Sequence, residues 1–275
     1  MTAKQTKWIR CKKSRPCPVC KKLDWCGITE DGKVVRCMRI ESSNPSNGGW
    51  IHYLDEPIKY KHIKIPKPKP VKDFTQFNCQ CIEALVNIEK VADELGVSVR
   101  SLERLDTGWY GNVTWPMRDE NDKVIGIRVR ASDGKKWCVP GSRTGVFWPE
   151  NIDDVDVLLL SEGPTDTAAL LTLDYAAAGR PSCSGGVEIL KAKLSRRKRY
   201  VVVVADNDEA KLRPDGSEFF PGQEGACKTA EALSKYTKGI KIVVPPVYKD
   251  VRRWLNEEHI TKGVLDALIE NTSYL

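Results

Sequence analysis

Two short apolar runs constrain the fold of this chain more than any other feature. Val157-Leu158-Leu159-Leu160 ends in Ser161-Glu162-Gly163-Pro164-Thr165-Asp166, and Val201-Val202-Val203-Val204-Ala205 ends in Asp206-Asn207-Asp208. Neither run alternates with polar residues, which is the pattern of a strand covered on both faces, as in a parallel sheet. In open α/β sheets ligands bind just beyond the C-terminal strand ends, and both runs place carboxylates there. Glu162 and Asp166, four apart, can face one crevice. Asp206 and Asp208, two apart in an extended segment, point the same way. Acids after strands also act as helix N-caps and turn formers. Two such clusters point instead to a shared cation, and hard oxygen donors suit Mg²⁺ or Mn²⁺.

The combination of Glu162-Gly163-Pro164-Thr165-Asp166 with Asp206-Asn207-Asp208 resembles the Toprim domain, shared by DnaG-type primases, topoisomerases and some nucleases. The resemblance implies a Rossmann-like parallel sheet that binds divalent metal, here over 151–275. Within that span the sequence suggests a helix over Thr167–Leu173, a short strand at Ala176–Gly179 and a helix over Val187–Leu194. The Ser182–Gly186 loop before that last helix either admits a phosphate or is an ordinary tight connection. A Gly/Pro-rich insertion over 209–222 precedes a helix from Gln223, a strand Ile240–Pro245 and a closing helix over 256–275. Lys249-Asp250 resembles the Lys-Asp motif that ends primase-type Toprim domains. By that resemblance Asp250 joins the metal crevice and Lys249 the nucleotide contacts; as a helix N-cap, Asp250 needs no metal.

The front of the chain has a different chemistry. Residues 1–72 carry 17 Lys and Arg against 6 Asp and Glu, whereas residues 73–275 carry 27 against 31. A basic front on a mildly acidic body suits a polyanion partner joined to a metal site. The ten cysteines, with no apolar leader at the N-terminus, favour a reducing compartment and metal binding over disulfides. Cys17-Pro18-Val19-Cys20 is a knuckle of two thiolates, and Cys26 and Cys37 complete a candidate tetrahedral Zn²⁺ site, with Cys11 as a spare. Thr29 to Cys37 reads as a hairpin around Asp31-Gly32. Lys12, Lys13, Arg15, Lys21, Lys22, Arg36 and Arg39, with Trp8 and Trp25, suit single-stranded nucleic acid, where cations track phosphates and rings stack on bases. The expected layout is a zinc-binding β domain over 1–54, followed by a basic Pro/Lys-rich tether over 55–73. The tether is read as extended polyproline II, with or without phosphate contact.

Residues 74–150 read as an α+β subdomain. Helices fill 75–105, with a helix-turn-helix-like pattern at Ala92–Leu105; Cys79-Gln80-Cys81 is too tight for a separate metal site. Val113–Asp119, a turn at Glu120–Lys123 and Val124–Arg130 then form strands. In the second, Arg128 and Arg130 share a face. This hairpin, with Arg118, resembles the stretch that precedes the Toprim domain in DnaG-type primases, and the resemblance implies that Arg118, Arg128 and Arg130 contact nucleic acid or nucleotide.

The expectation for the whole is therefore a small DnaG-type primase of phage, plasmid or mobile-element kind. Its activity, by resemblance, is synthesis of short RNA primers on single-stranded DNA from NTPs. Two-metal nucleotidyl transfer would be centred on Glu162, Asp206 and Asp208, with Asp166 and Asp250 beside them. The zinc site offers only cysteines where the family usually includes a histidine. The expected layout has no counterpart of the helicase-binding region of cellular primases, which leaves a replicative helicase as an open partner. The rival readings are a Toprim nuclease and a non-catalytic, zinc-bearing single-strand binding protein. No run approaches the ~18 apolar residues that span a membrane, and the expected location is cytoplasmic.

Overall fold

The computed structural model describes residues 7–46, 48–55, 73–213 and 215–275. The chain divides into two compact units, Met1–Lys69 and Pro70–Leu275. The expected tether lies almost wholly outside the described residues. Segments 74–150 and 151–275 fall together inside the second unit.

In the first unit β1 (Trp8–Arg10), β2 (Gly27–Thr29), β3 (Val34–Cys37), β4 (Pro45–Ser46) and β5 (Gly49–Tyr53) form an antiparallel sheet in the order β1-β2-β3-β5-β4. The β2–β3 hairpin turns at Asp31-Gly32. Gly32 takes a φ of +72°, and Asp31 Oδ1 accepts from Thr29 Oγ1 at 2.5 Å and from Lys33 N at 3.1 Å. The buried interior consists of Ile28 and Val35 with Cys11, Cys17, Cys26 and Cys37. With thiols making up most of the interior, apolar burial alone is a weak source of stability, and a crosslink must supply the rest.

The second unit opens with α1 (Phe74–Glu83), α2 (Ile88–Leu95) and α3 (Val99–Arg104). Each start is capped by a side chain that accepts from the first turn: Asp73 from Thr75 N and Gln76 N, Asn87 from Lys90 N, and Ser98 from Ser101 N. An antiparallel sheet follows, built in order from β6 (Gly108–Trp109), β7 (Val113–Arg118), β8 (Val124–Arg130) and β9 (Lys136–Cys138). Trp115 pairs with Arg128, Val113 with Arg130, and Arg130 with Lys136. Directly opposed residues share a face, so Trp115, Arg128, Arg130 and Lys136 stand on one side of this sheet. Ile127 and Val129 go to the other side and pack with Phe74 and Val139.

The remaining elements are β10 (Val157–Glu162), α4 (Pro164–Thr172), β11 (Ala177–Arg180), α5 (Val187–Arg196), β12 (Tyr200–Val204), β13 (Lys211–Leu212), β14 (Glu218–Phe219), α6 (Pro221–Leu233), β15 (Gly239–Val243), α7 (Val251–Glu258) and α8 (Lys262–Glu270). β10, β11, β12 and β15 form a parallel sheet in the order β11-β10-β12-β15. The central strands are buried on both faces, as their composition requires. Leu159, Val202 and Val204 share a core with Leu170 of α4, Val251 and Trp254 of α7, Leu265 of α8, and Val91, Leu95 and Leu102 of α2 and α3. Leu158, Leu160, Val201 and Val203 share another with Leu190 and Leu194 of α5 and Ala226 and Ala230 of α6. The helix-turn-helix-like pair is thus packed into the first core.

Several boundaries differ from the sequence reading; β11, α5, α6 and β15 shift by one or two residues at an end, and three differences are larger. α4 starts at Pro164 because proline is favoured at a first helical position. The 209–222 insertion folds as the β13–β14 hairpin. The expected closing helix is two helices, α7 and α8, separated at His259 with φ +51°. No described helix is long and apolar enough to cross a membrane.

Candidate active site and metal centre

The sheet order reverses between β10 and β12, which opens a crevice at their C-terminal ends. Glu162 closes β10, and Asp206 follows β12 by two residues. The loop after Glu162 is tightly defined. Thr167 Oγ1 donates to Gly163 O at 2.7 Å and meets Ser161 Oγ at 3.0 Å. A Cβ at Gly179 would lie 2.3 Å from Thr167 Oγ1 and 2.8 Å from Gly163 O, so β11 approaches this loop only because residue 179 has no side chain. Gly163 itself has φ +83°. Asp166 then falls in the first turn of α4, buried, and Asp250 is the N-cap of α7, accepting from Arg253 N at 2.8 Å. Two carboxylates therefore sit at the N-termini of two helices, where the helix dipole favours negative charge.

The loop after β12 is fixed by Asn207, whose side chain donates to Pro245 O at 3.1 Å and accepts from Gln223 Nε2 at 3.1 Å. Asp208 turns toward α6: its Oδ2 accepts from Gly222 N at 3.0 Å, and its Oδ1 lies 3.9 Å from Lys249 Nζ. A Cβ on Gly222 would sit 2.5 Å from Asp206 O, so the start of α6 reaches the loop through a glycine.

One cavity of about 150 Å³ collects most of these groups. Glu162, Asp166, Asp206 and Asp250 form one part of its wall. Arg128, Arg130 and Lys136 from the antiparallel sheet supply cations, joined by Lys249 and Arg252 from the start of α7 and the loop before it. Arg128 Nη2 donates to Pro181 O at 2.9 Å, which ties the two sheets together at the rim. Of the residues expected from sequence, Asp208 and Arg118 do not line this cavity. Arg118 forms an ion pair with Asp106 and donates to Asp122 O at 2.8 Å. Lys136, Arg252 and Trp115 line the cavity and were not anticipated. For Lys136 and Trp115 the missing information was the cross-strand register; for Arg252 it was the start of α7.

Burial and crowding by like charge dominate the electrostatics. Desolvation, then the neighbouring carboxylates of Asp166, Glu162, Asp250 and Asp208, push Asp206 up to about 8. Asp166 is raised as well, first by burial and then by Asp250, although Arg252 opposes the shift and its N–H donates to Asp166 Oδ1 at 3.4 Å. Beneath the acids, Arg180 is fully buried and faces the charges of Glu162 and Asp206. Its Nη1 donates to Cys183 O at 2.6 Å and to Thr229 Oγ1 at 2.9 Å. Oxygen donors among which Asp166 and Asp206 are raised by burial and by neighbouring carboxylates are hard ligands that fit Mg²⁺ or Mn²⁺. Their spread around a cavity, instead of convergence on one point, suits an ion that keeps several waters.

The cysteines of the first unit make the opposite arrangement. The Sγ atoms of Cys17, Cys20, Cys26 and Cys37 all lie within 4.8 Å of one another. Cys20 to Cys26 is 3.6 Å and Cys26 to Cys37 is 3.9 Å, close to the ~3.8 Å edge of a tetrahedron with Zn–S bonds of about 2.3 Å. Met38 N donates to Cys26 Sγ at 3.4 Å and Ile40 N to Cys37 Sγ at 3.3 Å. Burial pushes the Cys17 thiol up to about 11 and Cys26 up to about 12, so neither ionises readily without a cation. The four cysteines fit a zinc site, and Cys11, though buried beside them, is outside the set. Next to it, a shallow cleft of about 460 Å³ is lined by Trp8, Arg10, Trp25 and Arg36 among others. Trp25 is 66% exposed, Arg36 lies over the Trp8 ring at 5.3 Å, and Arg39 lies over Trp25 at 6.0 Å. Arg15, expected at this surface, is buried.

No protein-family model and no curated protein matches the chain by sequence. Solved structures match it by fold. The DnaG primase catalytic domain bound to single-stranded DNA has a TM-score of 0.57 and 16% identity, over 73% of this chain and 77% of that one. The E. coli primase catalytic core has a TM-score of 0.57 and 14% identity, over 73% of this chain and 79% of that one. The RNA polymerase domain of Mycobacterium tuberculosis DnaG in complex with double-stranded DNA has a TM-score of 0.52 and 13% identity, over 72% and 79%. The chain is thus an α/β protein with the fold of a DnaG primase catalytic core, a Toprim-type parallel sheet behind an antiparallel one, and a four-cysteine cluster near its N-terminus that fits zinc.

Proposed function

We propose that this chain is a primase-type nucleotidyltransferase that makes short RNA primers on single-stranded DNA. The observation that carries the reading is the cavity at the switch point, where four carboxylates oppose five cationic side chains. Glu162 and Asp206, with Asp166 and Asp250 beside them, would hold Mg²⁺ or Mn²⁺. Asp208 would act from the edge of the set, since its carboxylate is engaged by Gly222 N. When bound, divalent ions there would neutralise triphosphate charge and stabilise both the attacking 3′-oxygen and the leaving pyrophosphate. Arg128, Arg130, Lys136 and Lys249 hold the phosphates of nucleotide or strand against the acids. Arg118 supports the turn behind them through Asp106 and Asp122. In the first unit, Cys17, Cys20, Cys26 and Cys37 hold a structural zinc, and the adjoining tryptophan–arginine cleft takes bases of the template. The fold neighbour with single-stranded DNA bound supports this choice of substrate. A replicative helicase is the further partner this reading admits.

The test is extension on single-stranded DNA with labelled NTPs and Mg²⁺ or Mn²⁺, comparing wild type with Asp206→Ala. Short products from the wild type alone are expected. Metal-dependent loss of the DNA strand without products would replace the reading with a nuclease.

A further inference from the structure

Asp206 and Asp250 face one cavity, yet the sheet does not set the spacing between them. The ladder joining β12 to β15 closes with Val204 opposite Val243 and with Ala205 N donating to Val243 O at 2.9 Å. On the β15 side the chain then runs through Val244-Pro245-Pro246-Val247-Tyr248 before it reaches Lys249-Asp250. Proline has no N–H, so the Pro245-Pro246 pair cannot carry the ladder further.

Asn207 holds both ends of this excursion. Its side-chain Nδ2 donates to Pro245 O at 3.1 Å, and its backbone N donates to Lys249 O at 2.7 Å. Its Oδ1 accepts from Gln223 Nε2 at 3.1 Å, which ties the same residue to the first turn of α6. A residue that only carried the chain from Asp206 to Asp208 would need no side chain. Here donor and acceptor are both used, on two segments distant in sequence. Asn207 and Lys249, joined by the 2.7 Å bond, are the immediate neighbours of Asp206 and Asp250. That bond therefore fixes the separation of the backbones that carry the two acids. Asn207 and Gln223 lie outside the cavity lining, so any effect they have on an ion passes through the acids.

We infer that Asn207, with Gln223, is a positioning residue that holds Asp206 and Asp250 at a fixed separation before any ion arrives, and that this frame makes the site selective for Mg²⁺ over Ca²⁺. This rests on the metal-dependent nucleotidyltransferase reading of the cavity. Mg²⁺ demands near-ideal octahedral ligands at about 2.0–2.1 Å, whereas Ca²⁺ accepts oxygens at about 2.3–2.6 Å in flexible arrangements. Loosening the frame therefore costs the smaller ion more.

The test uses the full chain. Mg²⁺ and Ca²⁺ compete in turn against Mn²⁺, with free Mn²⁺ read by electron paramagnetic resonance, and Asp206→Asn identifies the ions bound at the cavity. Asn207→Ala should weaken Mg²⁺ about tenfold, as removal of a group that orients a metal ligand does, and Ca²⁺ by less than about threefold. Gln223→Ala removes one of the three bonds to Asn207 and should shift the ratio the same way by less. Amide hydrogen exchange in the wild type needs no variant to fold: the Asn207 N–H should be protected in metal-free protein. Equal losses of both ions, in step with the melting temperature, would reduce Asn207 to structural support and overturn the selectivity role. A ratio unchanged in both variants, or an Asn207 N–H protected only after Mg²⁺ is added, would overturn it and leave the proposed function standing. Mn²⁺ binding that Asp206→Asn does not lower would overturn the metal reading of the cavity as well.

Discussion

The two candidate metal centres of this chain are built on opposite plans. In the first unit four soft sulfur atoms close on one point, within 4.8 Å of each other, with backbone N–H groups turned onto them. In the second, hard oxygens stand around a cavity, with cations facing them. A closed set of four thiolates would saturate a zinc ion and leave no position for substrate, which is the form of a structural site. An open set leaves its ion partly coordinated by water and so able to exchange water for phosphate. The same contrast appears in the packing. The thiols are most of the interior of their unit, whereas the acids lie at the end of a sheet whose cores are complete without them.

The comparison is broken most severely by stripping metal from the four-cysteine site or removing one of its thiols. A structural zinc contributes on the order of 10 kcal/mol or more to a small domain. Chelation, or Cys37→Ser, should therefore abolish ordered structure in the first unit while the second retains its melting transition; calorimetry resolves the two. If the first unit stays folded, its cysteines are not its staple.

Gly222→Ala should act next most strongly, and on the open site. Its new Cβ meets Asp206 O at 2.5 Å, a backbone clash that must move either α6 or the Asp206 loop, with overpacking costs of about 1–3 kcal/mol. Divalent-ion affinity measured by Mn²⁺ binding should fall together with the melting temperature.

Arg118→Ala separates support from ligand contact. It strands Asp106, which is largely shielded from solvent, and should cost about 1–3 kcal/mol of stability. ATP affinity of the folded variant should be unchanged, because Arg118 is outside the cavity. A selective loss of ATP affinity would return it to the nucleotide contacts.

The smallest effect is the most diagnostic of an open acid site. The fold raises Asp206 to about 8 from an ordinary value of 3.8. A raised carboxyl favours the folded state fully only below the ordinary value, and that contribution is lost progressively as pH rises from about 4 through 8. Metal-free Asp206→Asn should therefore melt a few degrees above wild type at pH 8, with a smaller difference at pH 5. Saturating Mn²⁺ should reverse the order at pH 8, since the wild type, with the full set of acids, gains more from the ion than the variant. An unchanged ranking in Mn²⁺ would mean that Asp206 does not meet the metal.

Much of this architecture was legible because it follows from local pattern. Val201–Val204 could be read as a doubly buried strand since every side chain in it is apolar, and Asp31-Gly32 as a turn since few other dipeptides suit one. Arg128 and Arg130 were found by period-two alternation. Lys136 and Trp115 were not, because each belongs to a neighbouring strand and its face is set by pairing. Asp208 illustrates the other limit. Its spacing from Asp206 suggests a shared direction, but the hairpin insertion returns the chain at Gly222, and the N–H there takes the carboxylate.

The alternation of β8 has a consequence for how the protein can vary. Arg128 and Arg130 stand in the cavity wall, while Ile127 and Val129, between and beside them, fill the small core with Phe74 and Val139. One strand thus encodes ligand binding and folding on interleaved residues. A single-residue insertion or deletion in the Asp119–Lys123 turn that shifted the pairing would exchange the two sets, sending guanidinium groups into the core and apolar side chains into the cavity. Length variation in this turn should therefore be tolerated only where the strand pairing is kept in step, so that the parity of the turn is inherited together with the site.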